Sequence, residues 1–573
     1  MTLLVGVVCG LTAVAFHLTI RAVESRLIER ALHAEGDSWM FWTIISPTLG
    51  GLCAGACLTW LVPGARGSGI PQVKLAYATE GGRVRFRDAL GKFVIGALQI
   101  GSGASLGREG PTVQICAGAT SLLARVTALP QRHMRRLMPV GVAAGIAAAF
   151  NAPIAAVTFT IEEIVGALDN TVLSGVVVAA ALAAVIERGV LGVHPVLEID
   201  RAYELGHASS LVTYAVLGVA AGGLSVFFTD ALLKLRLWFR RLHVVPRWAQ
   251  PAVGGLVTGM LAVLVLTTLQ LTGVTGGGYE TLGRALAGSL GLKALFVLCG
   301  VKLVATVFSY SSGGAGGIFA PSLFIGAMLG GLFGYCDVWL FDHEPSQLGA
   351  FALVGMGAVF AGVIRAPITS VLIIFELTGG YGLVLPLMLA NMTSYMLARS
   401  WREQPVYEAL LAQDGLAVPN AYARAPGFDQ LTVGSAMTTP AQYVMVGQCL
   451  AEAATQLRDH AFALAPLVNE QRQVLGALSV DGLQRAAVLA PDADSASLLV
   501  NVSAVHEREP LMQALVRMTE LGARQLCVLD ERDTLVGMLA LSDIVRIHTR
   551  DQSLTSALQS RRALPPAEAY QSH

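Results

Sequence analysis

Gly107-Arg108-Glu109-Gly110-Pro111 is a break followed at once by a helix start. Glycine permits irregular backbone, and proline is favoured in the first helical turn. Three further segments share this form: Gly67-Ser68-Gly69-Ile70-Pro71, Gly316-Gly317-Ile318-Phe319-Ala320-Pro321 and Gln404-Pro405-Val406-Tyr407. Unpaired N–H groups at a helix start, at the positive end of its dipole, make a site for an anion. Several such starts converging would bind a halide without a full positive charge, so that the ion could leave again.

The sequence around these breaks is that of a membrane protein. Of 573 residues 54% are hydrophobic and 14% charged, with mean hydropathy +0.61; a soluble domain carries about 25% charged residues. Apolar runs at Leu3–Ile20, Phe41–Val62, Leu211–Phe228, Val253–Leu271, Leu292–Val307 and Leu383–Leu397 are spanning helices in prospect. The first is not a signal peptide, because Arg21, Arg26 and Arg30 follow it and no basic segment precedes it. A net charge of zero gives no argument for nucleic acid as partner. Scattered cysteines read as buried thiols, and nothing completes a metal site around Cys53 and Cys57. No HExxH, GxSxG or paired intramembrane aspartates argue for an enzyme. Irregular backbone at membrane depth is tolerated only where protein buries it or it lines a cavity, so the four breaks mark the functional site.

The membrane part also repeats itself. Gly141–Glu162, with Asn151-Ala152-Pro153-Ile154, parallels Gly355–Glu376, with Arg365-Ala366-Pro367-Ile368, and nine residues separate proline from glutamate in both. Gly110-Pro111 likewise parallels Ala320-Pro321. Duplication of this kind points to two halves, often inverted, with the substrate site where they meet. Thr378-Gly379-Gly380-Tyr381-Gly382 imitates a potassium filter, which needs four copies around an axis; here it reads as a loop.

In order and separation, GSGIP, GREGP and GGIFAP resemble the signatures of the CLC family of chloride channels and proton–chloride antiporters, over residues 3–411. The resemblance implies an all-α polytopic domain of inverted repeats and a homodimer with an anion pathway in each subunit. It implies hydroxyl donors to a central anion from Ser68 and Tyr407, and backbone N–H donors from Ile318 and Phe319. An outer anion position lies near Arg108 and Gly110. Glu109 is the gating glutamate, an acid beside helix starts that imitates the anion they attract. Glu163 is the internal proton-transfer glutamate, with a helix-end residue on the water side as its alternative. Glu162 reads as structural, because its repeat mate Glu376 recurs without a second acid. Lys92 either raises the local potential for anions or snorkels. Family members that favour nitrate tend to have proline at the position of Ser68, so chloride or bromide is expected here.

Beyond residue 411 the composition turns soluble. The domain reading is 1–411 membrane domain, 412–430 linker, 431–490 and 500–551 two similar α/β units, and 552–573 a disordered tail. The units resemble a pair of CBS domains, which in general can bind adenine nucleotide through a glycine, a Ser/Thr and an Asp. The first unit has Gly476 and Ser479 but Gly482 at the acid position; the second has Gly537 and Asp543 but Ala540 at the hydroxyl position. No cofactor is therefore expected, with adenine nucleotide at the pair as the alternative. The expected activity is proton–chloride antiport in the lipid bilayer of the cell's inner (plasma) membrane, with the tail cytoplasmic; the alternative is a passive chloride channel.

Overall fold

The computed structural model describes residues 1–32, 36–166, 170–192, 203, 206–242, 244–343, 345–378, 381–416, 431–458 and 463–544. Most of the expected linker, Gly379 and Gly380 of the filter-like loop, and the expected tail 552–573 lie outside the described residues. The chain divides into a unit Met1–Tyr422 and a unit Ala423–His573.

In the first unit each apolar run forms most of a helix. Among the described residues seven helices are long and apolar enough to cross a membrane. Two of them, at Val172–Leu191 and Phe319–Phe341, lie outside the runs read from sequence. Val384–Trp401 is a helix but not one of the seven: Asn391, Thr393 and Ser394 lower its hydropathy, and Asn391 and Ser394 are fully buried against protein. Between the long helices lie short ones, Ile70–Thr79, Pro153–Phe159, Tyr279–Leu286, Pro367–Thr378 and Val406–Gln413. At 1.5 Å per residue none can cross a hydrocarbon layer of about 30 Å, so their ends fall inside the protein.

Helices approach closely where glycine removes the side chain. A Cβ on Gly330 would stand 2.0 Å from the Phe351 carbonyl oxygen, and one on Gly255 2.0 Å from that of Pro47. Backbone-to-backbone packing of this kind gains dispersion contact where burial of apolar surface gives no drive. It locks Phe319–Phe341 against Leu348–Ile364 and Ser38–Trp60 against Gln250–Leu269.

The duplication is visible in atomic detail. Glu376 accepts from the N–H groups of Ile154 (2.9 Å) and Ala155 (2.7 Å). Glu162 accepts from those of Ile368 (3.2 Å) and Thr369 (2.8 Å), and from the Thr369 hydroxyl (2.6 Å). Each glutamate thus caps the half-helix of the other repeat, which accounts for its recurrence.

The second unit holds two three-stranded sheets of one topology. Val444–Met445 runs parallel to Leu464–Val468, which pairs antiparallel with Val474–Ser479. Ala504–His506, Gln525–Leu529 and Leu535–Ala540 repeat this order, and the register shifts at Leu467/Val468 and again at Val528/Leu529. The connecting segments cross over. Thr438 bridges to Met538 in the second sheet, and Val500 to Ala477 in the first. This corrects the assignment of Ser435-Ala436-Met437-Thr438 to the first unit, because Val433 and Ala436 pack in the core of the second with Val505, Leu511 and Leu539.

The thiols also need correction. Cys9, Cys116, Cys299 and Cys527 are buried, but Cys53 and Cys336 are exposed and Cys57 and Cys449 intermediate. An apolar helix in lipid has no reason to turn its thiols inward. Among the described residues no cluster could hold a metal ion.

Candidate functional site

Two of the glycine breaks are stitched together. Gly107 and Gly317 exchange both backbone hydrogen bonds, at 2.7 and 2.8 Å. The bond pair sets the start of Glu109–Val126, with Arg108 at its N-cap, beside the start of Phe319–Phe341, with Ile318 at its N-cap; no side chain caps either. First-turn N–H groups have no partner within their own helix, so two positive ends meet at one place.

The third break closes on them. A Cβ on Gly110 would stand 2.5 Å from Ser68 Oγ, and one on Gly69 2.8 Å from the Gly110 carbonyl oxygen. Gly69, at φ +100°, opens the half-helix Ile70–Thr79, a conformation suited to glycine. Tyr407 enters in the first turn of Val406–Gln413 and is fully buried, as is Ser68. Among the described residues neither hydroxyl has a partner in good hydrogen-bond geometry, although the two are close enough to interact with each other. Two hydroxyls can satisfy at most one of their two donors on each other, and a buried donor left unpaired is costly.

Glu109 is 1% exposed. Its Oε1 accepts a hydrogen bond from the Tyr279 hydroxyl, and its Oε2 is buried without a partner among the described residues. The neighbouring Arg108 is engaged with other protein groups. It donates to His17 Nε2 at 3.2 Å and to the Ala149 carbonyl at 3.3 Å, and its guanidinium lies 5.3 Å over the Tyr279 ring. Lys92 is fully buried and donates to the Gly67 carbonyl at 2.6 Å, so it does not snorkel. Lys92 and the two terminal nitrogens of Arg108 are thus engaged with protein acceptors, while Arg108 Nε is buried without a partner among the described residues, beside the N–H dipoles and hydroxyls that can meet an anion.

Glu163 lies apart from Glu109 in the chain and is 4% exposed, not an exposed helix end. Lys74 bridges it to Glu408, with Nζ at 2.9 Å from Glu163 Oε1 and 3.1 Å from Glu408 Oε1. Three elements meet there: the half-helix of Ser68, the π-helical turn Thr160–Val165 and the half-helix of Tyr407. The Glu408 side chain keeps 24% exposure against 5% for Glu163.

Sequence reasoning missed Lys74, Glu408, Tyr279 and Lys302. Tyr279 follows Gly276-Gly277-Gly278, the counterpart in the second half of Gly67-Ser68-Gly69, but it stands opposite Ile70, so the repeat does not single it out. Lys302 precedes Gly317 by the same distance as Lys92 precedes Gly107.

In the tail, the residues of the nucleotide pattern have structural duties. A Cβ on Gly537 would stand 2.6 Å from Met437 Sδ, and one on Gly476 2.5 Å from Leu499 Cδ1, so each glycine makes room for a crossing segment. Ser479 accepts from Gly482 N at 3.4 Å, and Asp543 from Ala540 N at 3.0 Å.

Half-helices that end inside a membrane domain, with N-termini and hydroxyls converging on one buried point, define a multi-pass anion-transport protein. The chain belongs to the voltage gated chloride channel family, whose model matches residues 50–399; residues 500–549 match the CBS domain. It is 31% identical over 421 residues to the H(+)/Cl(-) exchange transporter ClcA of Salmonella typhi, covering 72% of this chain and 88% of that protein. A slow cyanobacterial Cl⁻/H⁺ antiporter of known structure is 25% identical, with TM-score 0.66, over 72% of this chain and 96% of that one. A eukaryotic CLC transporter, 21% identical with TM-score 0.61 over 95% of this chain and 97% of its own, shares the fold.

Proposed function

We propose that this protein exchanges chloride for protons across the cell's inner membrane, as a homodimer with one pathway per subunit and its CBS pair in the cytoplasm. The observation that carries this reading is the buried carboxylate of Glu109 at the meeting point of two uncapped helix starts. A group there occupies the position an anion would take, and it must be protonated or displaced before an anion can pass. Anion passage and proton binding are then alternatives at one point, which is the condition for coupling.

In this mechanism the anion is held by the Ser68 and Tyr407 hydroxyls and by the N–H groups of Ile318 and Phe319. An outer position lies at Arg108 and Gly110. Glu163 is the inner proton acid, and Glu408, the more exposed partner across Lys74, is a route by which water reaches it. The names of the similar proteins, ClcA and the cyanobacterial antiporter, favour exchange over a passive channel. The test is simultaneous recording of chloride efflux and proton uptake from liposomes. Uphill proton movement driven by a chloride gradient is expected, and chloride efflux without it would leave the channel reading.

A further inference from the structure

The two halves each contain a glycine-rich loop anchored by a fully buried lysine. In the first half Lys92 donates to the Gly67 carbonyl, and the loop presents Ser68 before the half-helix Ile70–Thr79. In the second, Lys302 donates to the carbonyls of Gly273 (2.8 Å), Val274 (3.1 Å) and Gly276 (2.7 Å), and the loop presents Tyr279 at the start of Tyr279–Leu286. Both half-helices have a glycine at the N-cap with positive φ, Gly69 at +100° and Gly278 at +73°. One construction is thus used twice, with a hydroxyl on either side of its glycine N-cap: Ser68 precedes Gly69, and Tyr279 follows Gly278. Ser68 lies beside Tyr407 and has no carboxylate partner among the described residues, whereas Tyr279 donates to Glu109.

We propose that Tyr279 is the positioning residue of the gate: its hydroxyl latches the Glu109 carboxylate in the closed position, and each transport cycle must break that bond. The inference rests on the reading of Glu109 as the gate. The bond joins the halves, since Glu109 belongs to the first repeat and Tyr279 to the second. The phenol is held in place on several sides. The Arg108 guanidinium lies over its ring, Lys302 fixes its loop through three carbonyls, and a Cβ on Gly277 would come within 2.4 Å of ring carbon Cε2. A rigid donor facing a side chain that has to move is a latch, because it cannot follow the carboxylate and keep the bond. Ser68, just before its glycine N-cap, offers its hydroxyl to the anion; Tyr279, just after its own, offers a hydroxyl to the carboxylate that takes the anion's place.

Tyr279→Phe removes the hydroxyl and keeps the ring under Arg108. A charge-assisted hydrogen bond corresponds to about ten- to a hundredfold in the latch equilibrium. In liposomes containing the full chain, Tyr279→Phe should raise chloride turnover severalfold and lower the chloride concentration giving half-maximal flux, with the proton-to-chloride ratio unchanged. In a Glu109→Ala background the same substitution should do nothing. Unchanged or slower turnover overturns the latch, and so does an equal change with and without Glu109, which would mark a packing effect. Tyr279→Leu, judged by the same rules, serves if the phenylalanine variant does not reconstitute. Failure of Glu109→Ala to uncouple would sink the gate reading itself, whereas uncoupling by Glu109→Ala with a silent Tyr279→Phe sinks only the latch.

Discussion

Glu376 and Glu109 are both carboxylates at a helix start, and they are used in opposite ways. Glu376 reaches across from the other repeat and accepts two backbone N–H groups of Pro153–Phe159, while Glu162 returns the same service to Pro367–Thr378. Glu109 stands in the first turn of the helix it faces, caps nothing, and has one oxygen on a tyrosine hydroxyl and the other unpaired among the described residues. A carboxylate bound by two N–H groups is a seal. One held by a single hydroxyl can leave, and an anion can replace it. The same attraction between a helix terminus and negative charge thus builds a fixed joint at one pair of helix starts and a movable gate at the other.

The largest effect should come from removing the movable carboxylate. Glu109→Ala is expected to leave chloride flux and abolish proton coupling, measured as chloride efflux and proton uptake in the same liposomes. Persistent proton pumping would erase the distinction between seal and gate. Glu163→Gln should also keep chloride transport and lose proton transport, since its buried carboxyl is the acid next to the more exposed Glu408. Both fluxes at the parent ratio would remove Glu163 from the proton route.

Breaking a seal should instead cost stability. Glu376→Ala deprives Ile154 and Ala155 of a charged acceptor, and Glu162→Ala does so for Ile368 and Thr369. Charge-assisted bonds contribute about 1.5–3 kcal/mol each, and the partial exposure of these pairs favours the low end. A lower unfolding temperature in detergent is expected, with an unchanged proton-to-chloride ratio in the protein that remains folded. Lost coupling at full stability would show that these joints also move.

Much of the site was legible because its elements rest on local chemistry. Glycine and proline mark half-helix starts wherever they fall, so the break segments could be found by spacing, whereas the roles of Ser68, Glu109, Ile318 and Phe319 within them came from the resemblance to the CLC family. The second glutamate could be set aside because it recurs: Glu162 has Glu376 as its mate, and both are caps. Partners supplied by distant chain segments were not legible. Tyr279 meets Glu109, and Lys74 meets Glu163 and Glu408, only after folding, and no local pattern marks a tyrosine or a lysine as the far end of such a contact. In the tail, strand patterns showed two units, but Val433 and Ala436 pack with the unit that is distant in sequence. A crossover leaves no signature in periodicity.

A smaller effect is expected at Ser68. Its hydroxyl is a compact donor beside that of Tyr407, with no acceptor in good hydrogen-bond geometry among the described residues, and it is set against Gly110. Ser68→Pro removes both that donor and a backbone N–H, loosening a point-like site that suits a spherical halide. Nitrate flux relative to chloride should rise, read from anion-exchange rates. A parent protein that already carries both equally would show that the hydroxyl does not select.

The smallest effect should follow from deleting everything after Gly415. All four helix-start segments end by Tyr407, and the half-helix carrying Tyr407 is secured within the membrane unit. Arg236 donates to Gln413 Oε1 at 3.0 Å and to both oxygens of Asp414, at 2.9 and 3.0 Å, while Arg240 donates to the Gln413 carbonyl at 2.8 Å and also meets Asp414. A truncation that keeps Asp414 keeps these contacts, so the chloride and proton fluxes per folded subunit should match those of the full chain. Adenine nucleotides added to the full chain should change little. Gly476 and Gly537 are filled by crossing segments, and Ser479 and Asp543 accept from backbone N–H groups. Loss of transport on truncation, or tight ATP, ADP or AMP binding by calorimetry on the full chain, would assign the tail a controlling role. It would also mean that the helix start at Tyr407 depends on something beyond its arginine clamp.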